Sequence, residues 1–226
     1  MEINRTVIVV AGGKGSRMNS DLPKQFMELD GWPVLMHSLM AFYDFDHDIR
    51  IILVLPEVQV GFWNELCEKR NFNVPHHVAN GGDTRFASVK SGLQLVELPS
   101  LVAIHDGVRP LVSHDTIARA FGVALEHGAA VPVVDIVDSL RSVTENGSRA
   151  ENRNLFKLVQ TPQVFDGKLI IDAYRRGFDP SFTDDASVAE AAGIEITLTG
   201  GNRENIKITT PLDLVVAEAL LKSKGE

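Results

Sequence analysis

The sequence predicts an α/β fold: a Rossmann-like, mostly parallel sheet with helices on both faces. Three observations carry that expectation. The run Val7-Ile8-Val9-Val10 is short, β-branched and apolar at every position, as in a strand whose two faces are both covered. Further apolar runs then alternate with stretches of helical periodicity across short connections, which is the β-α-β-α order of a parallel sheet. Finally, the glycine-rich and charged segments fall after the strands, where open α/β sheets bind ligands.

Taken in order, the first strand runs straight into Gly12, Gly13 and Gly15, which allow a sharp turn and a close approach of backbone N–H groups to a phosphate or base. Lys14, Arg17 and Lys24 add three cations to that loop. It is not a Walker loop, because Lys14 is followed by Gly15, and it is not a dinucleotide fingerprint, because Met18 stands where the third glycine belongs. Pro33 to Phe42 has helical apolar spacing, with Pro33 suited to the first turn. Ile51 to Leu55 reads as a strand, Glu57 to Arg70 as a helix, Val74 to Val78 as a short strand and Thr84 to Val96 as a helix whose start Asp83 or Thr84 would cap.

Leu101 to Ile104 is the next strand, and it delivers His105-Asp106-Gly107-Val108-Arg109 to the ligand-binding edge. Asp106 and Arg109 there could neutralise each other or act on a ligand. After Val131-Pro132-Val133-Val134 the pattern changes. Asp135 to Glu151 alternates poorly and contains Asn146-Gly147, a hairpin dipeptide, as expected of an arm that leaves the body for a second subunit. Helices follow at about Gly167 to Arg176 and from Thr183 to a stop at Gly193. Ile206-Lys207-Ile208 alternates like a strand, and Pro211 opens a closing helix through about Leu221.

A chain of 226 residues with 44% hydrophobic content suffices for a substantial core, so residues 1–226 are expected to form one domain with an arm at about 135–160. The net charge of −8 argues against nucleic-acid or membrane-surface partners, which call for a basic excess. The single cysteine, Cys67, excludes an intramolecular disulfide framework. No secretory-leader pattern or membrane-length apolar run is present, and a soluble cytoplasmic protein is expected.

The run Ala11-Gly12-Gly13-x-Gly15-x-Arg17-Met18 with Leu22-Pro23-Lys24-Gln25-Phe26 resembles the signature loop of the nucleotidyltransferases that join CTP to a sugar-alcohol phosphate. Within that group the chain is most similar to the 2-C-methyl-D-erythritol 4-phosphate cytidylyltransferases of the non-mevalonate isoprenoid pathway, with five motifs in family order between Val7 and Leu221. The resemblance implies a nucleotide-diphospho-sugar transferase type of fold. It also implies that Arg17, Lys24 and Lys207 are catalytic at the α-phosphate of CTP. Ala11, Gly12, Gly13, Gly15, Gly82, Asp83, Ser88 and Asp106 would bind CTP, and Asp106, Arg109, Ser139, Arg153 and Thr161 the second substrate. Asp138-Ser139 matches a family Asp-Thr pair only with a two-residue insertion, since ungapped counting lands on Ile136.

On the same basis Arg153 would reach across a homodimer to the partner's site, and Mg²⁺ or another divalent cation would bridge the triphosphate. The sequence names no secure protein ligand for the metal, and Asp106 is the nearest candidate. The Thr183-Asp184-Asp185-Ala-Ser-Val form favours the methylerythritol group over ribitol 5-phosphate cytidylyltransferases, the nearest alternative. A nicotinamide-dependent dehydrogenase lacks its fingerprint here, and a nucleotide-sensing module would not require Lys24 or Lys207.

Overall fold

The computed structural model describes residues 3–12 and 22–224. Its core sheet is built on β1 (Asn4–Val10), flanked in parallel by β4 (Arg50–Leu55) and β6 (Ser100–Asp106), with β5 (His77–Asn80) parallel to β4 at the edge. A short hairpin, β2 (Glu28–Leu29) with β3 (Trp32–Pro33), precedes α1 (Val34–Phe45). The two-faced reading of the first strand holds residue by residue. Val7 and Val9 sink into one apolar cluster with Leu39, Phe42 and Trp63, while Ile8 sinks into another with Val89, Ile104 and Tyr174. The first layer is supplied by α1, α2 (Glu57–Arg70) and α4 (His114–His127), the second by α3 (Arg85–Leu93), α5 (Gly167–Arg175) and α6 (Asp185–Ala191).

Beyond β6 the sheet becomes mixed. β7 (Ala129–Asp135) is followed by a self-contained hairpin, β8 (Leu140–Thr144) with β9 (Gly147–Glu151), and the chain then returns through β10 (Lys157–Val159) and β11 (Gln163–Asp166). Both return strands run antiparallel along one edge of β7, and β11 inserts between β6 and β7. A chain that leaves on one strand and comes straight back must pair antiparallel; only the connections that cross over through a helix stay parallel. β12 (Thr197–Gly200) pairs in parallel on the other edge of β7, and α7 (Pro211–Lys224) closes the described chain.

Several boundaries depart from expectation. The strand expected at Val74–Val78 lies at His77–Asn80, in register with Ile52–Leu55, because pairing with β4 and not local propensity sets its limits. The third helix stops at Leu93, not Val96, and Thr84 is its cap, accepting from Ala87 N–H at 3.0 Å. Residues 206–208 form no strand. Ile208 donates a backbone bond to Val108 and packs with Leu29, Leu111 and Ala217, so the isoleucines are held by apolar contacts while Lys207 points away from them. The hairpin turns at Glu145-Asn146, one residue earlier than the Asn-Gly dipeptide suggests. Cys67 is a half-buried packing residue whose thiol burial pushes up to about 11. Among the described residues no helix is long and apolar enough to cross a membrane.

Candidate active site

A cleft of about 890 Å³ opens at the carboxyl ends of β1, β4, β5 and β6. Its floor includes Val10, Ala11 and Gly12 at the end of β1, where Ala11 N–H still bonds Val54 carbonyl. Among the described residues, a Cβ on Gly12 would meet no atom closer than 3.8 Å, the nearest being on Pro56 and Ser88 across the cleft. Gly82 is different. A Cβ there would stand 2.5 Å from the Ala87 side chain, so its turn folds against α3 only without one. Ser88 ties that turn down, accepting from Gly82 N–H at 3.2 Å and donating to Thr84 carbonyl at 3.0 Å. Opposite, Gln25 is buried and donates to Ala11 carbonyl and to Gln59 Oε1, both at 2.8 Å, which fixes the segment carrying Lys24 against the end of β1.

Asp106, the last residue of β6, is the electrostatic centre of the cleft. Its Oδ2 lies 2.9 Å from Lys207 Nζ and 3.2 Å from Arg109 Nε, and its Oδ1 lies 3.8 Å from Arg85 Nε. Burial alone would raise its pKa, but Lys207, Arg85 and Arg109 outweigh burial and hold the carboxyl well below the usual carboxylate range. Arg109 also donates to Asn205 carbonyl at 2.8 Å, and thereby pins the segment that presents Lys207. Arg85 is in turn gripped by a bidentate pair with the fully buried Asp185, at 2.8 and 2.5 Å, and Tyr174 hydroxyl donates to the same carboxylate at 2.6 Å. Burial opposes the charge on Arg85, yet the Asp185 carboxylate more than compensates and its pKa is raised.

His105 sits beneath this cluster with no exposed surface. Its Nε2 faces Arg109 carbonyl at 3.1 Å and so carries the proton; Nδ1 then accepts from Thr161 hydroxyl at 3.0 Å, which itself accepts from Asp106 N–H at 3.1 Å. Burial pushes the imidazole down to about 4, so it is neutral at pH 7. Both Thr161 and His105 therefore brace the end of β6.

Of the residues singled out in the sequence, the structure brings Ala11, Gly12, Lys24, Gly82, Asp83, Ser88, Asp106 and Lys207 around one cleft. Arg109 and Thr161 lie directly behind Asp106. Ser139 and Arg153 are exposed on the arm, away from the cleft lining, where Arg153 donates to Val137 carbonyl. Gly13, Gly15 and Arg17 lie outside the described residues. In the sequence Arg85 is only one residue of the helix that begins at Thr84, and Asp185 only part of the Thr183-Asp184-Asp185-Ala-Ser-Val form. The two stand 100 residues apart, and only the second of two adjacent aspartates, beyond the one needed for the cap, hinted at a buried partner.

A sheet covered on both faces, with glycine turns and clustered cations at its strand ends, places the molecule in the class of Rossmann-like nucleotidyltransferase folds. The family model for 2-C-methyl-D-erythritol 4-phosphate cytidylyltransferase matches residues 5–223. A protein of that name from Bacteroides fragilis is 58% identical over 217 residues, covering 96% of this chain and 99% of its own length. One from Porphyromonas gingivalis is 49% identical over 224 residues, covering 99% and 100%. The crystal structure of the Thermus thermophilus 2-C-methyl-D-erythritol 4-phosphate cytidylyltransferase superposes with a TM-score of 0.79 at 33% identity, over 98% of this chain and 100% of that one. The 4-diphosphocytidyl-2C-methyl-D-erythritol synthase of Anaerococcus prevotii superposes with a TM-score of 0.83 at 27% identity, over 97% and 96%. The chain belongs to the 2-C-methyl-D-erythritol 4-phosphate cytidylyltransferase family.

Proposed function

We propose that this protein transfers CMP from CTP to 2-C-methyl-D-erythritol 4-phosphate, releasing pyrophosphate and 4-diphosphocytidyl-2-C-methyl-D-erythritol. The observation that carries this reading is the convergence of Lys24, Lys207 and the Asp106 cluster on one cleft that Gly12 also lines, in a chain that the family model matches over residues 5–223. The acceptor's phosphate oxygen attacks the α-phosphorus in line, forming the new P–O bond as the bond to pyrophosphate breaks. A phosphate dianion is already a nucleophile, so no general base is required, and the neutral, buried His105 is not asked to act as one.

Lys24 and Lys207, both lining the cleft, would supply positive charge to the α-phosphate oxygens; Arg17, the third cation that the resemblance implies, lies outside the described residues. The Lys207 side chain is 42% exposed and, among the described residues, ion-paired to Asp106, so its flexible stem lets the ammonium turn to a phosphate while the buried Ile208 stays fixed. The turn from Gly81 to Ser88 is suited to reading the cytosine edge at short range, and Asp106 to holding sugar hydroxyls.

Among the described residues no group of three His, Cys, Asp or Glu side chains could hold a metal, and Asp106 is already compensated by three cations. That donor set fits Mg²⁺ carried mainly by triphosphate oxygens and water, where it would neutralise the departing pyrophosphate. The chain is proposed to act in the cytoplasm as one nucleotidyltransferase domain with its arm at about 135–160, and as a homodimer. Support for the dimer is the hairpin β8–β9, which among the described residues pairs only with itself, and the exposed apolar residues Val143 (82%) and Leu155 (78%) that the arm carries.

The test is pyrophosphate release from CTP with either 2-C-methyl-D-erythritol 4-phosphate or ribitol 5-phosphate. A kcat/KM at least about 10²-fold higher for the methylerythritol acceptor is expected, the scale on which a pocket rejects an added carbon or hydroxyl. Preference for ribitol 5-phosphate overturns the substrate assignment, and no release with either overturns the activity.

A further inference from the structure

The geometry points to Asp185 as a positioning residue that holds Arg85 back from Asp106 and so keeps one carboxylate oxygen of Asp106 open to the nucleotide. Three observations support it. First, among the described residues the two oxygens of Asp106 are used unequally: Oδ2 takes both Lys207 and Arg109, whereas Oδ1 faces Arg85 Nε at 3.8 Å, beyond hydrogen-bonding range. Second, both terminal nitrogens of Arg85 are spent on Asp185, in the bidentate geometry that fixes a guanidinium plane. Third, Asp185 is fully buried and itself held by Tyr174, so the grip comes from the core behind α3 rather than from the cleft.

The inference rests on the reading of Asp106 as the group that holds sugar hydroxyls. Among the described residues, an arginine released from Asp185 would find its next ion-pair partner at Asp106 Oδ1, and a fork closed on that oxygen would occupy the acceptor a hydroxyl needs. Asp185 thus acts by restraining a neighbouring cation, and its charge matters more than its volume.

Asp185→Asn preserves the shape and removes the charge. The expected result is a KM for CTP raised about ten- to hundredfold, the loss of a hydrogen bond to a charged acceptor, with kcat changed less than threefold. Adding Arg85→Gln removes the collapsing cation, and the double variant is expected to regain at least about half of that loss on a logarithmic scale. Tyr174→Phe, which loosens Asp185 without discharging it, should shift KM in the same direction by less. A structural role alone predicts a different pattern: a lower melting temperature and a smaller active fraction at unchanged KM, with the second substitution making matters worse. Either an unchanged KM in Asp185→Asn or a failure of Arg85→Gln to restore it overturns the inference. Wild-type protein that shows no KM for CTP at all defeats the functional reading instead, so the two failures are distinguishable.

Discussion

At the scale of single residues, Lys24 and His105 illustrate opposite uses of charge. Lys24 lines the cleft at the start of a short 3-10 turn (Lys24–Phe26) anchored by its buried neighbour Gln25. Lys24→Ala is expected to fold normally and to lose about 10²–10³ in turnover, the scale for deleting one donor to a transition-state oxyanion; a folded variant of near-normal turnover removes Lys24 from the mechanism. His105 is kept neutral by burial, with a folded pKa of about 4 against an ordinary value of 6.5. Below pH 6.5 the unfolded chain takes up a proton that the folded chain refuses, so stability falls as pH drops from 6.5 towards 4 and levels off beneath. The loss is about 2 kcal/mol at pH 5. Urea denaturation at pH 7.5 and pH 5 should show a smaller difference in His105→Gln than in the wild type; equal pH dependence contradicts the assignment, since His37 and His76, also lowered by burial, remain in both.

At the scale of elements, the segment from Asn205 to Asp213 shows how Lys207 is presented to the cleft without a strand. Ile206 and Ile208 seat it in apolar contacts, Arg109 holds Asn205 carbonyl, and Asp213 in the first turn of α7 accepts from Thr209 N–H, Thr209 hydroxyl and Thr210 N–H, each at 2.8 Å. This is the returning half of a capping box. Asp213→Ala is expected to cost about 1–2 kcal/mol and to speed amide exchange at residues 209–213 more than in the sheet, with a fall in turnover because Lys207 loses its footing. Unchanged exchange there means the cap does not organise the segment. The sequence made the central layer readable because its signals are local: β-branched runs, helical spacing, and glycines following strands. The extended segment was misread because an alternating pattern records which side chains are buried, not whether a neighbouring strand is present to pair. The antiparallel entry of β11 between β6 and β7, and the grip of Asp185 on Arg85, depend on partners far away in the chain and leave no local pattern.

At the scale of the whole molecule, the arm is the feature that the body does not explain. Among the described residues its hairpin pairs only with itself, and Arg153 stands outside the cleft lining, so a role for Arg153 in phosphate binding requires a second subunit whose arm crosses to the first. Lys24→Ala and Arg153→Ala injure opposite contributors to such a composite site. After subunit exchange half the dimers are mixed, and in each of these one site takes an intact Lys24 from one chain and an intact Arg153 from the other, so roughly a quarter of all sites should recover activity. Activity that stays at the level of the separate variants means that Arg153 serves its own subunit or none.

The central claim is that this cleft joins the acceptor's phosphate to the α-phosphorus of CTP, and following the oxygen atoms tests it directly. With ¹⁸O in the phosphate of 2-C-methyl-D-erythritol 4-phosphate and unlabelled CTP, phosphorus NMR of the products should place the label in the bridge and on the methylerythritol-side phosphate of the new diphosphate, with none in pyrophosphate. Label in the released pyrophosphate, or a bridging oxygen that comes from CTP, would show that the acceptor phosphate is not the attacking group and would contradict the account.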